Sequence, residues 1–154
     1  MEKFFLKTLE KCYILNIPLE FIVCPDLIAQ GVASWRFSEK WRTGILSGAP
    51  NLALAVQDGM TPKMLTKEAA WEGYTYIFVG GTVKWKWDTV RQWVAFAHKN
   101  GLKCHVGRVG STAKLDLCES IGVDSVDSSS FARNDSWDKV KAHQNPDKDL
   151  FTTD

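Results

Sequence analysis

Short apolar runs alternate with stretches of helical periodicity along most of this chain. The five runs cover residues 19–24, 52–56, 76–79, 104–109 and 123–126. Between them, apolar residues return at the three- and four-residue spacing of an amphipathic helix. The runs lack the polar alternation of a half-exposed strand, which indicates strands buried on both faces, as in a parallel sheet covered by helices.

Capping residues mark the predicted helices between these runs. Pro62 stands where its missing N–H costs nothing at the start of a helix. Ser111 is predicted to cap a helix over residues 112–121. Asp88 is predicted to cap a helix that passes through Val90 and stops at Asn100-Gly101.

The pattern predicts an α/β fold in which parallel strands alternate with helices through right-handed crossovers. An open doubly wound sheet and an arc of a barrel both fit it. The chain has 154 residues, whereas a complete (β/α)₈ barrel takes roughly 250. A barrel of this length could only be partial, and of the two arrangements we predict this one, a partial TIM-type (β/α) barrel of five strand–helix units. Residues 1–140 are expected to form this single domain, and residues 141–154 a polar tail.

Composition narrows the class of protein. The net charge of +1 gives no global affinity for nucleic acid, so such contacts would come from local basic patches. Cys12, Cys24, Cys104 and Cys118 form no CxxC pair and no zinc spacing, which predicts reduced thiols and neither metal nor cofactor. No leader is visible and no apolar run reaches the roughly 18 residues of a membrane span, so a cytoplasmic protein without membrane contact is expected.

Polar residues and glycines follow the predicted strands, at the sheet edge where α/β proteins place their sites. These residues are Asp26, Gln57, Gly80, Gly81 and Asp127. An ionised aspartate can accept both N–H donors on one edge of a guanine-like ring, and an amide or bare backbone N–H can donate to its carbonyl. Paired glycines allow the backbone to approach a flat ring, and a second carboxylate can attack the sugar carbon.

Ordinary structural roles remain open for each residue taken singly. Asp26 has the position of a helix N-cap. Asp58-Gly59 is a turn signal, and Gly80-Gly81 suits a tight strand exit. Either Asp124 or Asp127 could cap the segment that follows the fifth strand.

The order and spacing of these residues resemble the queuine and archaeosine tRNA-guanine transglycosylase superfamily. The similar stretch runs through 104–111 and 122–127 to Arg133-Asn134. The family has a Gly-Val-Gly turn, a helix, the motif Gly-Val-Asp-x-x-Asp, and then Arg-Asn. The resemblance implies that Asp127 is the nucleophile and that Arg133 lies near the nucleic-acid backbone.

The upstream motifs extend this resemblance to residues 20–135. Val56-Gln57 is similar to a strand end of the family, Val-Gln-Gly-Gly, whose glutamine binds the base. Gly80 and Gly81 match the glycine pair that contacts the base, and Asp26 stands where the base-reading aspartate belongs. The resemblance thus implies Asp26, Gln57, Gly80 and Gly81 as base-binding residues.

This sequence also departs from the family. It carries neither the Cys-x-Cys-x-x-Cys zinc cluster, which helps to hold tRNA, nor the Asp-Ser-Gly-Gly segment of the proposed general base. Lys86 stands where many members have a glutamate that helps to choose the base. The run from Asp124 to Arg133 is closer to phage-encoded relatives that insert 7-deazaguanines into DNA. This similarity favours DNA over tRNA as the substrate. If the protein is phage-encoded, its expected location is the host cytoplasm.

The expected function is base exchange of guanine or a 7-deazaguanine in nucleic acid, through a covalent aspartyl-glycosyl intermediate. The sequence leaves open whether the chain is catalytically active as such a pentosyltransferase. A non-catalytic relic or subunit of such an enzyme, which binds only the base or the nucleic acid, would have the same residues. A third hypothesis is a small α/β enzyme for a phosphorylated metabolite, with Gly107–Ser111 as its anion site. Exposed sheet edges also predict self-association, a partner chain that completes the barrel, or a local cover by the helix over residues 1–15 or by the C-terminal tail.

Overall fold

A computed structural model of the protein describes residues 2–130, 137, 138 and 141. Within these residues five strands alternate with five helices. The strands are β1 (Ile22–Val23), β2 (Leu52–Val56), β3 (Tyr76–Val79), β4 (Lys103–Val106) and β5 (Ser125–Val126). The helices are α1 (Glu2–Ile14), α2 (Val32–Thr43), α3 (Pro62–Lys67), α4 (Val83–Lys99) and α5 (Thr112–Ser120).

The strands form one parallel sheet whose spatial order, β1-β2-β3-β4-β5, equals their order along the chain. A doubly wound sheet would reverse this order at a switch point. The sheet instead curls into a half-barrel with helices between successive strands, which confirms the predicted partial (β/α) barrel. The carboxyl ends of all five strands therefore lie at one rim.

One face of the sheet packs against the helices and forms the main apolar core. Leu54, Ile77 and Cys104 are neighbours in the strand register, and all three are fully buried. Val90 and Trp93 of α4 pack in the same cluster and are also fully buried. Burying one such side chain stabilises the fold by roughly 1.5–3 kcal/mol, so this layer stabilises the sheet that carries the rim.

The opposite face, toward the barrel interior, is aromatic. Phe78 and His105 are register partners, and their rings stack with centroids 5.1 Å apart at an interplanar angle of 21°. Phe21 lies edge-on to His105 at 5.1 Å and against Tyr76 at 4.5 Å. These rings fill the interior face and carry one imidazole to the rim.

The start of α4 differs from the prediction. The helix begins at Val83 and Thr82 caps it, so the predicted cap at Asp88 is wrong. Asp88 lies within the helix and pairs with Lys84 one turn earlier. The periodicity was misleading because Lys86, a charged residue, occupies a buried position of this helix.

The remaining sequence predictions concern the cysteines, the tail and membrane contact. Cys24, Cys104 and Cys118 are buried, Cys12 is half-buried, and all four are free thiols. Of the predicted tail, only Lys141 is among the described residues. Among those residues no helix has the length and apolar character needed to cross a membrane.

Candidate active site at the carboxyl ends of the strands

Four of the predicted site residues line one cavity of about 360 Å³ at the rim of the half-barrel. They are Asp26, Gln57, Gly80 and Gly81. The cavity is also lined by Ile28, Ala29, Asp58, Phe78, Thr82 and Arg108. The loops after four successive strands, β1 to β4, therefore contribute to one concave site.

Gln57 fixes the side chain of Asp26. The Gln57 Nε2 donates to Asp26 Oδ2 at 2.9 Å and to Ser34 Oγ at 2.8 Å. Its Oε1 accepts from the backbone N–H of Ala29. Gln57 is only 3% exposed, so its amide is held between the β1 and β2 loops. A base carbonyl that takes a hydrogen bond from this amide must first displace Asp26 or Ser34.

Asp26 is a half-buried carboxylate that lines the cavity. Burial raises its pKa, while the hydrogen bond from Gln57 opposes this shift by favouring the ionised form. Gly31 is the N-cap residue of α2, so Asp26 does not cap that helix. The N-cap role that the sequence left open for Asp26 is therefore wrong.

Asp58 ties two rim loops together. Its Oδ1 accepts from the hydroxyl of Thr82 and its Oδ2 from the backbone N–H of Thr82, both at 2.7 Å. The side-chain hydrogen bond from Thr82 lowers the pKa of Asp58. Because Thr61 caps α3, the role of Asp58 is to join the β2 and β3 loops.

The two glycines of the rim are not equivalent. Gly81 has φ +74°, and a Cβ at this position would lie 2.6 Å from the Trp85 ring and 2.7 Å from Asp58 Oδ2. Its carbonyl accepts from the guanidinium of Arg108 at 2.8 Å. A Cβ at Gly80 would approach no atom closer than 3.6 Å. The geometry thus requires glycine at position 81 and has room for a Cβ at position 80.

Asp127 lies one residue beyond β5, beside the cavity. Its Oδ1 accepts from the backbone N–H of Arg108 at 2.8 Å, and its Oδ2 lies 3.1 Å from His105 Nε2. Its backbone carbonyl accepts from Val109 N at 2.8 Å. The side chain is nevertheless 51% exposed, so the carboxylate is fixed in direction and open to solvent.

His105 was not predicted from the sequence because it lies inside an apolar run. The structure buries it and places its Nδ1 2.8 Å from Ser125 Oγ. An ionised carboxylate only accepts hydrogen bonds, so Nε2 donates to Asp127 and, in the neutral ring, Nδ1 accepts from Ser125. Ser125, His105 and Asp127 therefore form one hydrogen-bonded chain.

Phe78 and Arg108 connect the cavity to Asp127. Both line the cavity; Phe78 stacks on His105, and the backbone of Arg108 binds the Asp127 carboxylate. A Cβ at Gly107 would lie 2.7 Å from Phe78 Cζ and 3.3 Å from Asp127 Oδ2. Gly107 thus permits the close approach of the aromatic wall and the carboxylate.

A buried lysine lies behind this rim. Lys86 is 1% exposed, and its ammonium donates to the carbonyl of Gly107. Its Nζ also lies 5.4 Å from the centre of the Trp87 ring. Burial and, secondarily, the charge of Arg108 lower the pKa of Lys86, whereas the charge of Asp127 opposes this shift.

Arg133 lies outside the described residues. Within the described part of the chain, no three His, Cys, Asp or Glu side chains converge as a metal site would require. No protein-family model, curated protein or solved structure matches this chain significantly.

Proposed function

We propose that this rim is the base-exchange site of a transglycosylase that acts on guanine or a 7-deazaguanine in nucleic acid, with DNA favoured over tRNA. One observation carries the proposal: Asp26, Gln57 and Gly81 surround a single cavity, and Asp127 lies beside it with an exposed carboxylate. The cavity volume of about 360 Å³ is in the range of small-molecule sites.

The cavity supplies contacts for a flat heterocycle. The Asp26 carboxylate accepts the two adjacent N–H groups of a guanine edge, a bidentate and charge-assisted contact. Phe78 forms an aromatic wall, and Gly80 and Gly81 present backbone rather than side chains to the cavity. Gln57 holds Asp26 in place, and thereby sets the orientation of the bound base.

Asp127 would carry out the covalent step. One carboxylate oxygen attacks the anomeric carbon of the nucleotide and forms a glycosyl ester, while the C–N bond breaks and its electron pair leaves with the base, which takes up a proton. An incoming base loses a proton, attacks the same carbon and displaces the carboxylate. The hydrogen bonds from Arg108 N and His105 orient the attacking oxygen and stabilise it when it leaves.

A base-binding role without turnover is the second candidate. It is favoured by the fact that both oxygens of Asp127 already have hydrogen-bond partners within the protein. The phosphate-binding alternative has less support. In its loop, the N–H groups of Gly107, Arg108 and Val109 donate to Val79 O, Asp127 Oδ1 and Asp127 O.

Incorporation of radiolabelled guanine into plasmid DNA and into tRNA tests the proposal. We expect the wild type to incorporate label into DNA and Asp127→Asn to lose at least ~10³-fold in rate, as is typical for a removed nucleophile. Asp26→Ala should mainly weaken base binding. Absence of incorporation by the wild type, with unchanged binding of a 7-deazaguanine by Asp127→Asn, would favour the binding-only candidate.

A further inference from the structure

A single peptide group links the helix layer to Asp127. The carbonyl of Gly107 and the N–H of Arg108 belong to the same peptide unit. Lys86 donates to this carbonyl from α4, and the N–H donates to Asp127 Oδ1 at 2.8 Å. In a trans peptide these two groups point in opposite directions. The unit therefore spans from the buried helix layer to the exposed carboxylate.

Lys86 is costly to keep in this place. A lysine is almost never fully buried unless its charge is compensated. Its helix offers a contrast, because Lys84 and Lys99 of α4 are exposed. Desolvation of Lys86 opposes folding, so packing alone does not account for an ammonium at this position. A methionine, which has a similar length, would fill most of the same space without a charge.

The local backbone explains what the ammonium adds. Arg108 has φ +56°, a left-handed conformation that costs a residue with a Cβ roughly 1–2 kcal/mol. Hydrogen bonds at both ends of the Gly107–Arg108 peptide hold this orientation. A cation on the carbonyl polarises the peptide and strengthens its N–H as a donor, because hydrogen bonds in a chain reinforce one another.

We propose that Lys86 is a positioning residue for Asp127, and that it acts through the Gly107–Arg108 peptide rather than by contact with substrate. Lys86 holds the peptide so that its N–H aims at Oδ1, and its charge supports the carboxylate through the polarised peptide. His105 holds the other oxygen, Oδ2. The role in catalysis rests on the proposed function, whereas the coupling of Lys86 to Asp127 does not.

Lys86→Met tests this coupling, with Lys99→Met on the exposed end of α4 as the matched control. In proton–nitrogen NMR spectra of the whole chain, we expect the Arg108 amide proton of Lys86→Met to move upfield and to exchange faster with solvent. The Asp127 carboxyl carbon resonance should also move. In guanine exchange, kcat should fall roughly 10- to 100-fold, the effect of a lost hydrogen bond to a charged group, while KM for the base is unchanged. Lys99→Met should change none of these quantities.

Lys86→Ala supplies a second test that a merely structural role would not satisfy. Propylammonium matches the deleted atoms, so it should restore both the Arg108 amide resonance and kcat, whereas neutral 1-propanol should restore neither. Equal recovery with the alcohol would overturn the proposal, because packing alone would then suffice. So would an unmoved Arg108 resonance, or a kcat within twofold of wild type, in Lys86→Met. If the wild type shows no base exchange, the proposed function has failed, and the two NMR resonances alone decide whether Lys86 positions Asp127.

Discussion

Asp26 and Asp127 are both aspartates at strand ends of one rim, yet the protein holds them in opposite ways. Asp26 is half-buried in the lining of a cavity, and the side-chain amide of Gln57, which follows the next strand, donates to it. Asp127 is half exposed, and a backbone N–H and an imidazole occupy its two oxygens. The first environment suits a residue that holds a ligand, and the second suits one that reacts.

The difference in burial also separates their energetic roles. Burial raises the pKa of Asp26, so its ionised form is disfavoured in the folded state and destabilises the fold at neutral pH. A protein without use for this charge gains by replacing it. The proposed binding role gives this destabilising carboxylate a use, and the following predictions test or sharpen the comparison.

Asp26→Asn should lower affinity for a 7-deazaguanine while it raises stability. The lost charge-assisted contact should weaken binding by roughly 1.5–3 kcal/mol, as measured by calorimetry. Because the folded pKa of Asp26 is raised, the ionised wild type loses stability as pH rises from the ordinary aspartate pKa of about 3.9 through the folded value. The melting temperature of Asp26→Asn should thus exceed that of the wild type at pH 7 and match it at acid pH. A variant less stable than the wild type at pH 7 would show that Asp26 is structural.

Gly81→Ala should destabilise the fold by about 2 kcal/mol, because alanine is strained in the left-handed backbone conformation and its methyl group clashes with Trp85 and Asp58. Gly80→Ala is the matched control, since its methyl group has room. Urea denaturation of both variants measures the difference. Equal losses would mean that the rim does not distinguish the two glycines.

His105→Gln and His105→Asn should separate the two hydrogen bonds of the imidazole. Both variants lose the stacking on Phe78, but the Gln amide reaches the position of Nε2 and keeps a donor toward Asp127. The shorter Asn amide reaches only the position of Nδ1, beside Ser125. We expect guanine exchange to be about tenfold faster in His105→Gln than in His105→Asn, because the Gln variant retains one hydrogen bond to Asp127. Equal exchange rates in the two variants would show that the hydrogen bond from His105 to Asp127 does not contribute to the reaction.

Asp58→Asn should have the smallest effect, up to about 1 kcal/mol for a largely solvated contact. The pKa of Asp58 is lowered by Thr82, so its stabilisation is present above the unfolded pKa of about 3.9 and is lost as pH falls through the lower folded value. The variant should be less stable than the wild type at pH 7 and similar to it at acid pH. This sign is opposite to that of Asp26→Asn, and thermal melts across pH compare the two.

The fold was predictable because the central strands lie in apolar runs without polar alternation and because α3 and α5 start at the expected capping residues. The spatial order of the strands was not, since both a barrel arc and a doubly wound sheet satisfy the same local pattern. Only the pairing of each strand with its neighbours in sequence decides between them.

The residues of the cavity were predictable because strand ends of a parallel sheet meet at one rim. Their contacts were not. His105 is hidden in an apolar run, and the burial of Lys86 is set by the packing of α4 against β4. The commitment of the Gln57 amide to Asp26 and Ser34 likewise depends on contacts between loops. The role of Arg133 and the oligomeric state stay predictions.

The most direct test of the central claim is a search for a covalent adduct on Asp127. The protein is incubated with a DNA duplex, quenched in denaturant and digested, and the peptide that contains residue 127 is weighed by mass spectrometry. The account predicts a glycosyl ester on Asp127 in the wild type, its absence in Asp127→Asn, and its loss when excess free guanine is added before the quench. An adduct on another residue, or no adduct from a wild type that exchanges guanine, would contradict it.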